Sequence, residues 1–570
     1  MIGKCIGAAL GKTKADVVLK NGSYVNVFTG EVERGDIAIT GGKIVGIGTY
    51  SGEREIDIGG KIAVPGLIDA HVHIESSQLS PEEYARLVVP HGTTAIIADP
   101  HEIANVCGIS GVRYIADAAK NTPLDVKVML PSCVPATPFE TSGATLSGAD
   151  TERYIGEPYV WGLGEFMNAP GVLNGDADVL RKLEAAHACG KVVDGHAPDL
   201  SGQALNAYIA AGIQTDHECA TPEEAAEKVA KGMYVHLREG SATRNVAAVG
   251  KAVNEKNFRR FLFCTDDRHA ADLKARGHIN NALRVAVAAG MDPVRAVTIA
   301  TLNAAECYRL CGKGAIAPSF DADIAVFDDL KEFRCALVLK GGKTVAERGA
   351  ALFDTGKKFL PDAVRNTVHL ATVAPSQFCM RLKGERALAM RLTEGSVVTE
   401  KRVCTVASRG GDVALAGTDL LKLAAIERHR GTGNIGLGLL EGYGMHGGAL
   451  ALTVAHDSHN LIVLGDNNED MAAAANELVR IGGGLALAKG GSVQSLPLDI
   501  AGLMSSLPAE EYIARSERLY EEAYSMGVKR GFDAFMSLSF LALLVIPSLR
   551  LSDKGLFDVE KFALVGIDAE

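Results

Sequence analysis

The rhythm of apolar and polar positions changes along the chain, and each change marks a different kind of structure. Residues 15–61 carry short alternating runs, ADVVLKNGSYVNV, GDIAITGGKIVGIG and REIDIGGKIAV. They are rich in β-branched residues and broken at Asn-Gly, Gly-Gly and Gly-Asp, which predicts a small antiparallel β-domain. The same texture returns in DADIAVFDDLKEFRCALVLKGGKTVAERG, residues 321–349. One β-sandwich split between two flanks explains both stretches. Between them the pattern becomes strand–helix alternation. The predicted strands are 66–73, 95–101, 125–131, 159–165, 191–196, 213–217, 234–237 and 261–266. Two of the intervening helices open on the same signal, Ser80-Pro81-Glu82-Glu83 and Thr221-Pro222-Glu223-Glu224. Each offers a hydroxyl N-cap, a proline at the first helical position and a glutamate two places later.

Eight such units are the count of a (β/α)8 barrel. An open doubly wound sheet would also alternate, but it would place a glycine-rich phosphate loop after its first strand, where this chain has HVHIESS. The predicted organisation is therefore α/β: 1–65 the first part of the β-sandwich, 66–314 the barrel, 315–365 the second part of the sandwich, and 366–570 a separate C-terminal α+β domain. That last domain mixes strand-like runs (ALALTVA, NLIVLG, GGLALAKGG) with helix-like ones (MAAAANELVRIG, AEEYIARSERLYEEAYSMG). Gly431-Thr432-Gly433-Asn434-Ile435-Gly436 matches a dinucleotide fingerprint, but the residues before it, KLAAIERHR, read as helix, which argues against that use.

Composition narrows the partners. There are 58 basic and 69 acidic residues, a balance of −11, and no basic stripe. Nucleic acid and anionic membrane are thus not expected. The apolar run 535–549 is too short to span a bilayer and contains Pro547, so it reads as core. Eleven scattered cysteines, with no targeting segment before them, read as free thiols of a cytoplasmic protein. Cys307 and Cys311 lack a second pair to complete a zinc cluster, and Cys219 and Cys264 read as core thiols.

The candidate chemistry lies at the strand ends, where barrels carry their active sites. On a strand, His71 and His73 project from one face while Val72 points back. That pair alone is a weak signal, since two surface or structural histidines match as easily. The fourth predicted strand ends in Glu165, the fifth in His196, the sixth in His217 and the eighth in Asp266. Four imidazoles and two carboxylates converging on one mouth suit two divalent metal ions. His71 and His73 would hold one ion, His196 and His217 the other. Glu165 would bridge them, and Asp266 would ligate the first and move a proton. An all-nitrogen and oxygen donor set admits Mn²⁺, Fe²⁺ or Zn²⁺. Glu75, Ser76 and Ser77 follow the histidine pair and shape the pocket floor. In the C-terminal domain, VAHDSHN packs His456, Asp457 and His459 together. It reads either as a loop over the barrel mouth or as an internal turn of that domain.

These residues carry a family resemblance. PGLIDAHVHIESS, GTTAIIADPHEIANV, LGEFMN, DGHAP, TDHE, YVHLREGSA and FCTDDRH resemble the amidohydrolase superfamily, and with TVAHDSHN and PLDIAGLMS the chain resembles the bacterial adenine deaminases along almost its whole length. The resemblance implies hydrolysis of adenine to hypoxanthine and ammonia in purine salvage, by a hydroxide bridging two metals, with Mn²⁺ favoured and Fe²⁺ or Zn²⁺ also fitting. It implies Glu165 where many superfamily members carry a carboxylated lysine. It makes Glu102 and His101 candidates for contact with the ring nitrogen and Asp267, with Glu75 and Ser76, a substrate-binding residue. It also implies a homo-oligomer, a dimer or a dimer of dimers. The H-x-E with P-C-x-x-C pattern of the cytidine-type deaminases is absent. Two alternatives stand beside this: an amidohydrolase acting on a cyclic amide or another purine base, and a non-catalytic barrel, which would have lost its ligands.

Overall fold

A computed structural model describes residues 1–241, 243–356 and 358–569. At its centre the strand–helix alternation closes into a curled parallel sheet. Its strands are β1 (Leu67–His73), β2 (Thr93–Ala98), β3 (Asp125–Leu130), β4 (Val160–Phe166), β5 (Val192–Gly195), β6 (Thr215–Asp216), β7 (Tyr234–Arg238) and β8 (Phe261–Cys264, continued by Asp266–Asp267). Six of them form one ladder in the order β5-β4-β3-β2-β1-β8, while β6, β7 and the first part of β8 form another. The last step of closure pairs Asp266 with Val72 and Asp267 with His73. Between β5 and β6 a single backbone bond from Gln214 N–H to the Val193 carbonyl (3.1 Å) carries the sheet across.

Ile68, Ala70, Ala95, Ile97, Met129, Val192 and Leu262 pack as one apolar cluster, and Leu67 and Val72 belong to the cluster on the other side of the sheet. The β1–β2 register shifts between Asp69 and Val72. A bulge of this kind re-aims the side chains that follow it. It brings His71 and His73, which alternation already sets on one face, round to the face that Ile68 and Ala70 occupy earlier in the strand.

The helix caps form largely as the spacing requires. Ser80 accepts from Glu83 N–H at 3.5 Å, and Thr221 accepts from Glu224 N–H at 3.2 Å. The second strand is shorter than its sequence pattern predicts. It ends at Ala98, and His101 opens the helix His101–Cys107. Pro100 is the reason: it has no N–H for a ladder and is compatible with a helix start.

Around the barrel lie two sheets of the flanking segments. The four-stranded one is drawn from residues 15–57, and the seven-stranded one joins Ser23–Asn26, Glu31–Arg34 and Ile62–Pro65 to the strands from Ile324–Phe327 to Ala350–Ala351. Ile62–Pro65 pairs antiparallel with Ile324–Phe327 and runs directly into β1.

An eight-stranded sheet organises residues 386–497, with the helix Asn468–Ile481 against one side. Its strand Leu420–Ile426 pairs antiparallel with Ile435–Glu441. KLAAIERHR is therefore largely strand, not helix, and the glycines after it form a loop between antiparallel strands. Glu427 fastens that loop by accepting from the N–H groups of Arg430 (2.7 Å) and Thr432 (2.8 Å), so the fingerprint has no helix on which to bind a phosphate.

The C-terminal segment docks on the barrel through polar pairs. Tyr512 donates to Gln78 at 2.5 Å, Ala509 N–H to Glu83 at 2.9 Å, and Thr141 Oγ1 to Asp553 at 2.7 Å. Phe535, Leu538, Leu541 and Leu549 of the late apolar run are buried, and no helix among the described residues is long and apolar enough to cross a membrane. All eleven cysteines are free.

Candidate active site

Each strand end delivers its side chain through a local device. On β1, Asp69 accepts from His71 N–H (3.3 Å) and from Thr265 N–H (3.1 Å), which ties the first strand to the eighth and sets His71 opposite Asp266. Just past β2, Asp99 works twice. Its carbonyl stands 2.7 Å from His73 Nδ1, and its carboxylate accepts from Glu165 N–H at 2.7 Å. Beyond β5, His196 N–H donates to the Tyr208 hydroxyl (3.0 Å), which itself donates to the Phe166 carbonyl (2.6 Å). Beside His217, Asp216 accepts from Ala197 N–H (2.8 Å) and pairs with the buried Lys228 ammonium (2.9 Å).

The result is a buried cage at the C-terminal mouth of the barrel. His71 Nε2 lies 3.2 Å from His73 Nε2, and Asp266 Oδ1 lies 3.5 and 3.2 Å from the two nitrogens. His73 Nδ1 faces a carbonyl, so it carries the proton of a neutral imidazole and Nε2 presents a lone pair. Lone pairs and carboxylate oxygens at these separations repel one another unless a cation sits among them. Tetrahedral ligands of a divalent ion, each at about 2.1 Å, stand about 3.4 Å apart, and the observed spacings fit that figure.

Glu165 divides its two oxygens between two groups. Oε1 lies 3.4 Å from His73 Nε2 and 3.2 Å from His101 Nδ1. Oε2 lies 2.8 Å from His196 Nδ1 and 3.3 Å from His217 Nε2, and those two nitrogens are 3.3 Å apart. The residues present thus fit divalent metal on both sides of one carboxylate, and the sets His71–His73–Asp266 and His71–Glu165–His217 each bring three donor atoms together. The rings of His71 and His217 stack at 4.1 Å, so the two halves of the cage are contiguous.

Burial alone would push these carboxyls up. Asp266 is instead held well below the usual carboxylate range, mainly by the Arg238 guanidinium with help from His71 and His73. Burial opposes a charge on His217, but Glu165 and the acidic neighbours overcome it and raise that imidazole to about 9. Glu75 has no such rescue and is pushed up to about 7 by burial. Its Oε1 accepts from Ile103 N–H at 3.2 Å. Ser76 donates to Asp267 Oδ1, and Asp267 is raised by burial and by Asp266 beside it.

Several participants escape the sequence reading. Arg238, at the end of β7, donates to Asp266 Oδ2 at 2.9 Å and forks onto both oxygens of Glu218. Only its place at a strand end hinted at this. Asp99 lay in the quoted ADPHE stretch without being given a role. The VAHDSHN stretch is not an internal turn. His456 Nδ1 lies 2.6 Å from Glu102 Oε1, His459 Nε2 lies 2.5 Å from Glu102 Oε2, and Asp457 Oδ1 lies 3.8 Å from His101 Nε2. The clustering of two imidazoles and a carboxylate was visible in sequence, but its destination was not.

The amidohydrolase family model matches residues 62–345, and the adenine deaminase C-terminal domain model matches residues 396–563. An adenine deaminase of Nitratidesulfovibrio vulgaris is 48% identical, covering 100% of this chain and 99% of its own. One of Clostridium acetobutylicum is 48% identical, covering 98% of each. Among solved structures, an atrazine chlorohydrolase from Arthrobacter aurescens complexed with zinc is 16% identical and covers 59% of this chain and 97% of that one, with a TM-score of 0.46. By its resemblance across both the barrel and the C-terminal segment, the chain belongs to the adenine deaminase family of amidohydrolases.

Proposed function

We infer that this protein is a hydrolase that replaces the exocyclic amine of adenine with oxygen, releasing hypoxanthine and ammonia. The observation that carries the reading is Glu165, whose two oxygens face separate groups of ligating atoms at the barrel mouth. The substrate is read from relatives matched end to end, which leaves a cyclic-amide substrate without support. His71, His73 and Asp266 would hold one divalent ion and His196 and His217 a second, with Glu165 between them. Mn²⁺ is favoured, and Fe²⁺ or Zn²⁺ also suits the donors. Such ions, when bound, make hydroxide available at neutral pH.

The chain's own groups do the rest. Asp266 divides its oxygens, Oδ2 on Arg238 and Oδ1 toward His71 and His73, and its carboxylate would take a proton beside the ion and pass it to the departing amine as the C6–N bond breaks. Asp267, braced by Ser76, and the neighbouring Glu75 form the polar wall for the purine edge. His101, whose Nε2 is 3.8 Å from both Glu102 and Asp457, is the barrel's own group for the ring nitrogen. Glu102 acts beside it through the imidazoles it holds.

The test is ammonia release by the Mn²⁺-loaded protein from adenine, with adenosine, guanine and dihydroorotate as competitors for the assignment. Turnover on adenine, lost after chelation and restored by metal, is expected. No turnover on adenine by protein carrying two ions per chain overturns the reading.

A further inference from the structure

The carboxylate of Glu102 is buried, and both of its oxygens are taken by imidazoles from the C-terminal segment, far away along the chain. The two histidines are not equivalent. His459 is a brace: its Nδ1 accepts from Ala455 N–H at 3.1 Å, so its Nε2 carries the proton that faces Glu102. Its Nε2 makes no well-angled hydrogen bond but lies 2.5 Å from the Glu102 carboxylate, so both ring nitrogens are committed within the protein.

His456 uses only one. Nδ1 meets Glu102, the ring lies flat on Phe540 at 4.8 Å and 25°, and Nε2 is buried without a partner among the described residues. A buried ring nitrogen left unpaired carries a cost of about 1–3 kcal/mol unless something meets it. The surroundings show what that is. Ligand atoms of His456, Glu102 and Asp267 lie within 4.8 Å of one another. Asp267 directly follows Asp266 and Glu102 directly follows His101, so His456 stands one residue outside the cage on two sides. A ring nitrogen that can donate or accept, its ring held by Phe540, and a serine-braced carboxylate complement the nitrogens along a purine's edge.

Resting on the function proposed above, we propose that His456 is a substrate-contacting residue. The C-terminal segment supplies it, Glu102 and Phe540 fix its ring, and its Nε2 hydrogen-bonds an edge nitrogen of the bound purine. The catalytic site is then composite, completed by a domain outside the barrel.

The test uses the full chain, metal-loaded, and compares wild type with His456→Ala, His456→Asn and His456→Gln. Asparagine places its amide where Nδ1 sits and keeps the bond to Glu102. Glutamine reaches the position of Nε2. His456→Ala is expected to keep two ions per chain, measured by elemental analysis. Its kcat/KM on adenine should fall about ten- to hundredfold, the value of one buried hydrogen bond, with KM carrying much of the change. His456→Gln should recover part of the loss and His456→Asn none. If His456→Ala stays within threefold of wild type, the proposal fails. It fails equally if His456→Asn restores activity while His456→Gln does not, because bracing Glu102 would then be the whole role. Loss of the fold in both amide variants would make His456 purely structural and also overturn it. A wild type inactive on adenine sinks the proposed function instead, and that outcome is read before any variant is made.

Discussion

Replacing Asp266 by asparagine separates two ideas about that residue. Viewed as a proton carrier alone, an asparagine should keep the metals and lose only turnover, because an amide oxygen can still ligate. The structure leads elsewhere. Asp266 uses both oxygens: Oδ2 accepts from the buried Arg238 at 2.9 Å, and Oδ1 faces His71 and His73 at 3.5 and 3.2 Å. An amide has one oxygen. If its NH2 group turned toward Arg238, donor would meet donor, and the lost hydrogen bond to a charged group would cost about 1.5–3 kcal/mol. If the NH2 group turned toward the histidines, it could not ligate an ion. The guanidinium is part of the protein and the ion is exchangeable, so the penalty falls on ion binding. At about 1.4 kcal/mol per factor of ten, affinity at the His71–His73 side should drop roughly ten- to hundredfold, before the loss of the carboxylate's charge is added. The expected result is one ion per chain after gel filtration, by elemental analysis, together with loss of ammonia release from adenine. Asp266→Asn protein that holds two ions as tightly as wild type would refute this account of Arg238.

Two further perturbations probe what supports the cage. Lys228→Met should destabilise the fold by about 3–5 kcal/mol, because Asp216 would keep a buried charge after losing the ammonium 2.9 Å away. Thermal denaturation should show a lowered midpoint, and zinc or manganese titration weaker binding at the flanking His196 and His217; an unchanged midpoint would contradict the pairing. Glu140 is a buried carboxyl beside Asp457, pushed up to about 8 by burial and by that neighbouring charge. Between the ordinary carboxylate value and pH 8 the folded chain keeps this proton while the unfolded chain releases it, so stability falls as pH rises through that window. Glu140→Gln removes the titration, so its melting-point advantage over wild type should grow from pH 5 to pH 8; a constant difference would mean the group is not held neutral.

How far the architecture could be read in advance depends on which faces are buried. β1 announced its histidine pair because only the residues after its bulge carry polar groups on the inner face. Leu420–Ile426 was misread because it is buried on both sides, so the alternation that marks a strand is missing. Its one charged residue, Lys422, is 2% exposed and pairs with Asp412 and Asn468 rather than marking a solvent face. The shortening of β2 turned on Pro100, which ended the strand before His101 and moved Glu102 onto a helix.

The candidate ligands were legible because barrel strands deliver them one at a time, at positions fixed by local sequence. What joins them is not local. Arg238 ends a strand of ordinary composition, and it acquires meaning only from the register that sets Asp266 beside Val72 and Asp267 beside His73. His456 and His459 stood out as a cluster, yet nothing near them in sequence names Glu102 as their partner. That pairing exists because the segment they belong to docks on the barrel through Gln78, Glu83 and Thr141. Side chains that supply donors can be inventoried strand by strand, whereas those that orient donors depend on contacts between distant elements. An arginine or histidine that looks redundant in sequence is therefore the residue most worth locating in the fold.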